Sequence, residues 1–180
     1  MSLSVHFDSN ERPYTGAELR PHFLLRSFGL KGDAIGAFIG PCEVKTEELV
    51  DWEDRLVNDH IRARSMVHFI GEFFGMGLSE GVFLQRLFMA SLGESLRATR
   101  DGDDLFVNSR KLSVSIVTAS PVSVLLHAGI NIDPEGAPVA AIGLEEIGVD
   151  ARLWVPGVLE RFASEWASMK WACAKVRPVV

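Results

Sequence analysis

The stretch "NSRKLSVSIVTASPVSVLLHAGIN", residues 108–131, constrains the fold most. Two β-branched, strand-forming runs meet at a Ser-Pro break, which reads as an antiparallel hairpin. Successive side chains on a strand point to opposite faces. In the first run Leu112, Val114 and Ile116 share one face, and Lys111, Ser113 and Ser115 the other. In the second run Val122, Val124, Leu126, Ala128, Ile130 and Ile132 oppose Ser123, Leu125, His127, Gly129 and Asn131. A one-residue slip reverses a face. Pairing apolar with apolar requires an odd-length connection, which places a loop of about three residues at Ala119–Pro121. The polar positions then coalesce into one surface of Lys111, Ser113, Ser115, His127 and Asn131. Such a surface is either the solvated side of a half-buried sheet or the floor of a small-molecule cleft. Small side chains and Gly129 favour the cleft, because they leave room near the backbone. Lys111 is a compact ammonium suited to an anion such as a carboxylate or phosphate.

The rest of the chain supplies helices to cover such a sheet. "AIGAFIG", 34–40, reads as a short buried strand. Thr46 has the side chain of an N-cap, with Glu47 and Glu48 in the first turn. Leu49, Trp52, Leu56 and His60 continue as a helical stripe to about residue 64. "SMVHFIGEFF", 65–74, is aromatic and β-branched like a buried strand. Ser79 is placed to cap a helix in which Leu84, Phe88, Leu92 and Leu96 recur at i+4. "RDGDD", 100–104, is a turn, and strands follow near 104–108, 111–118 and 122–132. Pro156 suits the first turn of a last helix, with Leu159, Phe162, Trp166, Met169 and Cys173 as its core stripe. The expected architecture is α+β: a mixed, largely antiparallel central sheet flanked by helices, in a single domain spanning 1–180.

Bulk properties narrow the function classes. At 180 residues, 47% hydrophobic and 23% charged, the chain can bury a real core. A net charge of −6 argues against a general nucleic-acid or anionic-membrane binder. Cys42 and Cys173 form no CxxC and read as free thiols of a cytoplasmic protein. No apolar run reaches the ~18 residues of a transmembrane helix, and the first residues lack a signal-peptide pattern.

Several other residues are candidates for chemistry. Glu53 falls on the Leu49–Leu56–His60 stripe, where a carboxylate needs a partner. His68 and Glu72 are four apart. On a strand they share a face but stand roughly 13 Å apart, too far for one metal ion. No metal site is expected. Glu72 in an apolar segment is a candidate for an altered pKa. Asp103 and Asp104 lead into the strand beneath Lys111 and can pair with Arg100, Arg110 or Lys111. Cys42 after Gly40-Pro41 is a weak candidate nucleophile, since a lone cysteine is more often a small buried residue.

At these residues the chain resembles the uncharacterised prokaryotic family known as domain of unknown function 366. The resemblance runs through "GAELRPHF", "GDAIGAFIGPCEV", "ELVDWEDR", "MVHFIGEFF", "QRLF", "RDGDDLFV", "KLSVSI" and "HAGINI". It covers nearly the whole chain and implies no activity. A more distant resemblance is to the biotin and lipoate protein ligases, which carry a strand opening "G-x-K-[LIV]-[SG]-G". Here "SRKLSVS" puts Lys111 at that lysine, which in those enzymes contacts the activated carboxylate of an acyl-adenylate. The chain departs from the pattern at Ser109 and Val114, where glycines would stand. It also has no Gly/Arg-rich nucleotide loop.

Two functions follow as expectations. The first is a small-molecule-binding or catalytic domain, ligase- or transferase-like, with an anionic ligand (nucleotide or carboxylate). Lys111, Asp103, Asp104 and His127 would be the reactive groups. Ser113, Ser115, Asn131, Arg110, Glu53, Glu72 and His68 would line the site, and ATP with Mg²⁺ is the cofactor this resemblance would imply. The second is a non-catalytic interaction module, a homodimer formed through the sheet and the aromatics Trp52, Trp154 and Trp171.

Overall fold

The computed structural model describes residues 2–179. Along the chain the elements are β1 (Ser4–Phe7), α1 (Phe23–Phe28), β2 (Ala34–Val44), a 3-10 turn (Thr46–Glu48), α2 (Trp52–Leu56), β3 (Ile61–Phe74) and α3 (Leu78–Leu96). Then come β4 (Thr99–Asp101), β5 (Asp104–Val107), β6 (Arg110–Lys111), β7 (Ser113–Ala119), β8 (Ser123–Asp133) and α4 (Ala151–Ala174). The main sheet has the order β1-β2-β3-β8-β7, and β4-β5-β6 form a smaller sheet. β1 runs parallel to β2, and the other pairs of the main sheet are antiparallel. The architecture is therefore α+β with a mixed sheet flanked by helices. No helix among the described residues is long and apolar enough to cross a membrane.

Both faces of the sheet are covered, which is why "MVHFIGEFF" reads as a continuous apolar run. Ile35, Ala37, Val67, Phe69, Leu126 and Ala128 pack on α3 and α4 through Leu84, Phe88, Leu92, Leu159, Phe162 and Trp166. Each such large apolar side chain contributes about 1.5–3 kcal/mol by leaving water. The opposite face carries Phe38, Cys42, Met66 and Ile70 under Tyr14, Phe23, Leu24 and Leu49.

The hairpin register differs from the expectation in the one respect that matters for a site. Ala119 pairs with Val124, so Ser120, Pro121, Val122 and Ser123 make the turn. The Ser120 hydroxyl accepts from the N–H groups of Val122 and Ser123 and holds that turn closed. An even count puts Ser115 beside Ala128 and Ile116 beside His127. Ser113 and Ser115 thus face α3, while His127 and Asn131 lie on the other side with Val114 and Ile116. The polar surface expected from sequence splits in two. The strand also breaks at Leu112, so Lys111 pairs with Phe106 in the small sheet rather than continuing β7.

The helix expected from Thr46 to about residue 64 is a 3-10 turn, the short α2, and the start of β3. Asp51 begins α2 afresh by accepting from the N–H groups of Glu53 and Asp54, and Asn58 ends the segment with φ 55°. Trp52, Leu56 and Val57 stand well exposed, so their stripe covers no core. Glu53 is exposed with them and lines no cleft. Gly77, not Ser79, caps α3, and its N–H is satisfied by Glu80 at 2.7 Å. α4 begins at Ala151 under an Asp150 cap, leaving Pro156 inside it. Its buried stripe reaches Trp166, with Met169 partly covered and Cys173 exposed. Trp154 is partly buried against Phe69, and its Nε1–H donates to Ser95 Oγ at 3.1 Å, so much of its ring serves the core rather than the surface.

Candidate functional site

The His127 face of the sheet is not fully roofed. Between it and the loops spanning 44–61 and 137–141 lies a cleft of about 260 Å³. Met66, Val114, Ile116, His127 and Asn131 supply sheet residues to it, and Lys111 and Asp104 reach it from the small sheet. The segment 8–14 runs beside β2, with Arg12 N–H donating to Ile39 O and Tyr14 N–H to Pro41 O. That run lays the Tyr14 ring flat on His127, with centroids 3.9 Å apart and 10° between planes.

Lys111 Nζ pairs with Asp104 Oδ2 at 3.0 Å, and both side chains remain about a third exposed (32%). The Lys111 backbone is fixed by three bonds. Its N–H donates to Ala140 O, its carbonyl accepts from Ile142 N–H, and Asn131 Nδ2 donates to the same carbonyl at 3.2 Å. Asn131 also donates to Ile142 O, so it clamps the 140–142 segment onto the sheet. Other charges in the cleft are mostly acidic: Glu48, Asp51, Asp54 and Asp59, with Arg62 as counter-charge. Partial burial, with Asp51 and Asp59 beside it, raises the Asp54 carboxyl above its ordinary range, and Lys111 partly offsets this.

His68 and His127 are both buried in the sheet. His68 Nδ1 lies 3.1 Å from His127 Nε2, and His68 Nε2 lies 3.2 Å from Gly40 O. Burial pushes His68 down to about 3, and burial together with His68 pushes His127 well below the imidazole range. Burial also raises the Tyr14 phenol and pushes the Cys42 thiol up to about 12. A thiol held that far from ionising is a core residue, not a nucleophile.

The remaining sequence candidates serve elsewhere. Ser113 Oγ accepts from Leu105 N–H at 2.8 Å, tying the small sheet to the large one. Ser115 Oγ donates to Asp103, and Gln85 Nε2 donates to both, so these three dock α3 against the β4–β5 turn. Arg86 adds an ion pair to Asp103 at 3.1 Å. Arg110 pairs with Glu146 at the surface, outside the cleft. Glu72 is buried and accepts from His22 N–H at 2.9 Å and from Ser123 Oγ at 2.8 Å. Glu72→Ala leaves those donors unmet and should cost about 1–3 kcal/mol, or roughly 3–10 °C in thermal melting. An unchanged melt would contradict this structural role.

The structure thus brings together Lys111, Asp104, His127 and Asn131, with His68 directly behind His127. It leaves Glu53, Arg110 and Asp103 outside the cleft, while Ser113 and Ser115 line it with their hydroxyls engaged by Leu105 N–H and Asp103. Tyr14 was not legible as a site residue, since only the long-range run of 8–14 beside β2 delivers it.

A family model described as Domain of unknown function (DUF366) matches residues 3–177. A solved protein of unknown function from Pyrococcus horikoshi is 38% identical, covering 99% of this chain and 100% of that one, with a TM-score of 0.95. Ligases share the fold at much lower identity. P. falciparum LipL1 in complex with lipoate gives a TM-score of 0.59 at 12% identity, over 99% of this chain and 64% of that chain. Biotin protein ligase from Aquifex aeolicus, with biotin and ATP, gives 0.54 at 15% identity, over 90% and 69%. The chain thus shares its fold with biotin and lipoate protein ligases and belongs to the DUF366 family, a domain of unknown function.

Proposed function

We propose that this protein is a small-molecule-binding domain, ligase- or transferase-like, whose cleft takes a carboxylate-bearing ligand at Lys111. The observation that carries this reading is Lys111 itself. It stands at the mouth of a partly apolar cleft, fixed through its backbone by Asn131 and Ala140. Asp104 holds the ammonium in place until a ligand oxygen shares or displaces it. The fold shared with biotin- and lipoate-bound proteins supports a ligand of that general kind.

The charge of the cleft refines the choice between nucleotide and carboxylate. Five lining carboxylates, Glu48, Asp51, Asp54, Asp59 and Asp104, face two permanent cations, Arg62 and Lys111. A free triphosphate would meet net repulsion there, whereas a single carboxylate needs only Lys111. ATP would enter as its Mg²⁺ complex, which lowers the charge it brings.

The test is a thermal melt with octanoate, lipoate, biotin and Mg-ATP in turn. A ligand at ~100-fold its dissociation constant adds about 2.7 kcal/mol, which raises the midpoint by roughly 5–10 °C at this size. The expected result is a rise with a carboxylate that Lys111→Ala removes while leaving the unliganded midpoint unchanged. A rise that survives Lys111→Ala would overturn the assignment. A second reading, a non-catalytic homodimer, rests on the exposed apolar side chains of Trp52, Leu56, Val57 and Trp171. A monomer by light scattering at micromolar concentration would remove it.

A further inference from the structure

The two buried histidines form a hydrogen-bond line with a fixed direction. A carbonyl oxygen only accepts, so His68 Nε2, 3.2 Å from Gly40 O, must carry the proton. A neutral imidazole has one N–H, so His68 Nδ1 presents a lone pair. His127 Nε2, 3.1 Å away, must therefore donate to it. His127 then has no proton left for Nδ1. Burial keeps both rings neutral, at 0% and 2% exposure, and among the described residues no carboxylate bonds to either. Burial accordingly holds both well below the ordinary imidazole range.

The free end of this line belongs to the cleft. His127 lines it, and among the described residues no protein group bonds His127 Nδ1. Tyr14, stacked at 3.9 Å, fixes the plane of the ring, and an in-plane flip that hides Nδ1 would lose His68. That lone pair can be met only from the cleft side, by solvent or by a donor group of a ligand.

We propose that the inner part of the cleft is a subsite for an uncharged hydrogen-bond donor, an N–H or O–H group of the ligand, received by the Nδ1 lone pair of His127. An anionic oxygen at that position would face the lone pair and make no bond. The inference rests on the cleft reading above and deepens it by assigning opposite requirements to two places. Lys111 accepts negative charge, and His127 selects against it. Met66, Val114 and Ile116 supply apolar surface in the same cleft. The ligand class is a small amphipathic molecule with one anionic group and one neutral donor.

The experiment is long-range ¹H–¹⁵N NMR of the histidine rings in ¹⁵N-labelled protein at neutral pH. The expected spectrum shows both rings as Nε2–H tautomers, with His127 Nδ1 in the unprotonated range. An Nδ1–H tautomer or an imidazolium at His127 overturns the proposal. Benzamide and benzoate are then titrated as a matched donor and anion. Benzamide should move the His127 Nδ1 resonance toward the protonated side. Benzoate should do so about tenfold more weakly, the ratio that one unmade hydrogen bond gives. An equal response to benzoate, or none to benzamide, overturns the subsite. Lys111→Ala should leave the benzamide response intact. Failure of the Lys111 reading is therefore seen in the melting experiment alone, and failure of this one in the Nδ1 shift alone. His68→Leu frees the His127 tautomer and should erase the amide preference, and a preference that persists would show that the line does not set it.

Discussion

Gly40→Ala should lower the thermal midpoint by roughly 10–20 °C, or prevent soluble expression, although the change adds a single methyl group. A Cβ at Gly40 would overlap the Arg12 carbonyl oxygen and lie 2.6 Å from its carbonyl carbon. Both are backbone atoms, so no rotamer change relieves the clash. The segment that carries them cannot retreat cheaply. It is stitched to β2 through Arg12 N–H to Ile39 O and Tyr14 N–H to Pro41 O. Retreat would also lift Tyr14 from His127 and disturb the Gly40 carbonyl that orders His68. Gly157→Ala is the matched control. Nothing lies within 4 Å of a Cβ there, and the position is in α4. It should be neutral, or stabilising by about 0.5–1 kcal/mol from helix propensity. Equal midpoints for the two variants would mean that segment 8–14 does not pack on β2 as described.

Much of this fold was legible because the signals were local. The i+4 stripe of Leu84, Phe88, Leu92 and Leu96 is buried throughout, and the buried aromatic run around His68 is a central strand. Where the reading failed, a local signal was overruled by something a pattern does not contain. The stripe after Thr46 has helical spacing, yet only Leu49 reaches core while Trp52, Leu56 and Val57 face solvent, and Asp51 restarts the turn. In the hairpin, Ser120 makes a turn with an even number of residues, and that single count sends Ser113 and Ser115 to the opposite side from His127. The alternation held along β8 and within β7, but the break at Leu112 took Lys111 and Leu112 out of it, and the register between strands was not readable from apolar matching. Pro134 lies close to Gly143, whose missing Cβ lets the 140–144 segment pass against the Ile132 backbone and cover Lys111. That approach joins residues distant in sequence, as does the stacking of Tyr14. The candidate cleft therefore showed through three of its lining residues, Lys111, His127 and Asn131. Its walls did not.

Acidification should destabilise this protein well before its carboxylates titrate. His68 and His127 are neutral in the folded state, His68 with a value of about 3 and His127 well below the ordinary 6.5. In the unfolded chain both protonate near 6.5. Below that pH the unfolded state therefore binds about two protons more than the folded state, and stability rises with pH. Each such proton is worth about 1.4 kcal/mol per pH unit, so the pair gives a slope approaching 3 kcal/mol per unit. The loss begins as pH falls through 6.5 and continues toward 3, where His68 itself protonates in the fold. Asp8 and Glu146, held low by Asn10 and Arg110, add their losses only in the ordinary carboxylate range and below. Asp54, held high, acts in the opposite sense. Urea unfolding between pH 6 and 5 isolates the histidines. His127→Phe keeps an aromatic ring under Tyr14 and removes one titrating group, so its slope should fall to about half, near 1.4 kcal/mol per unit. A wild-type slope near zero in that window would mean that the pair is not held neutral. A slope unchanged in His127→Phe would place the titration elsewhere. A halved slope would fix both the charge state and the count of protons that the buried pair excludes.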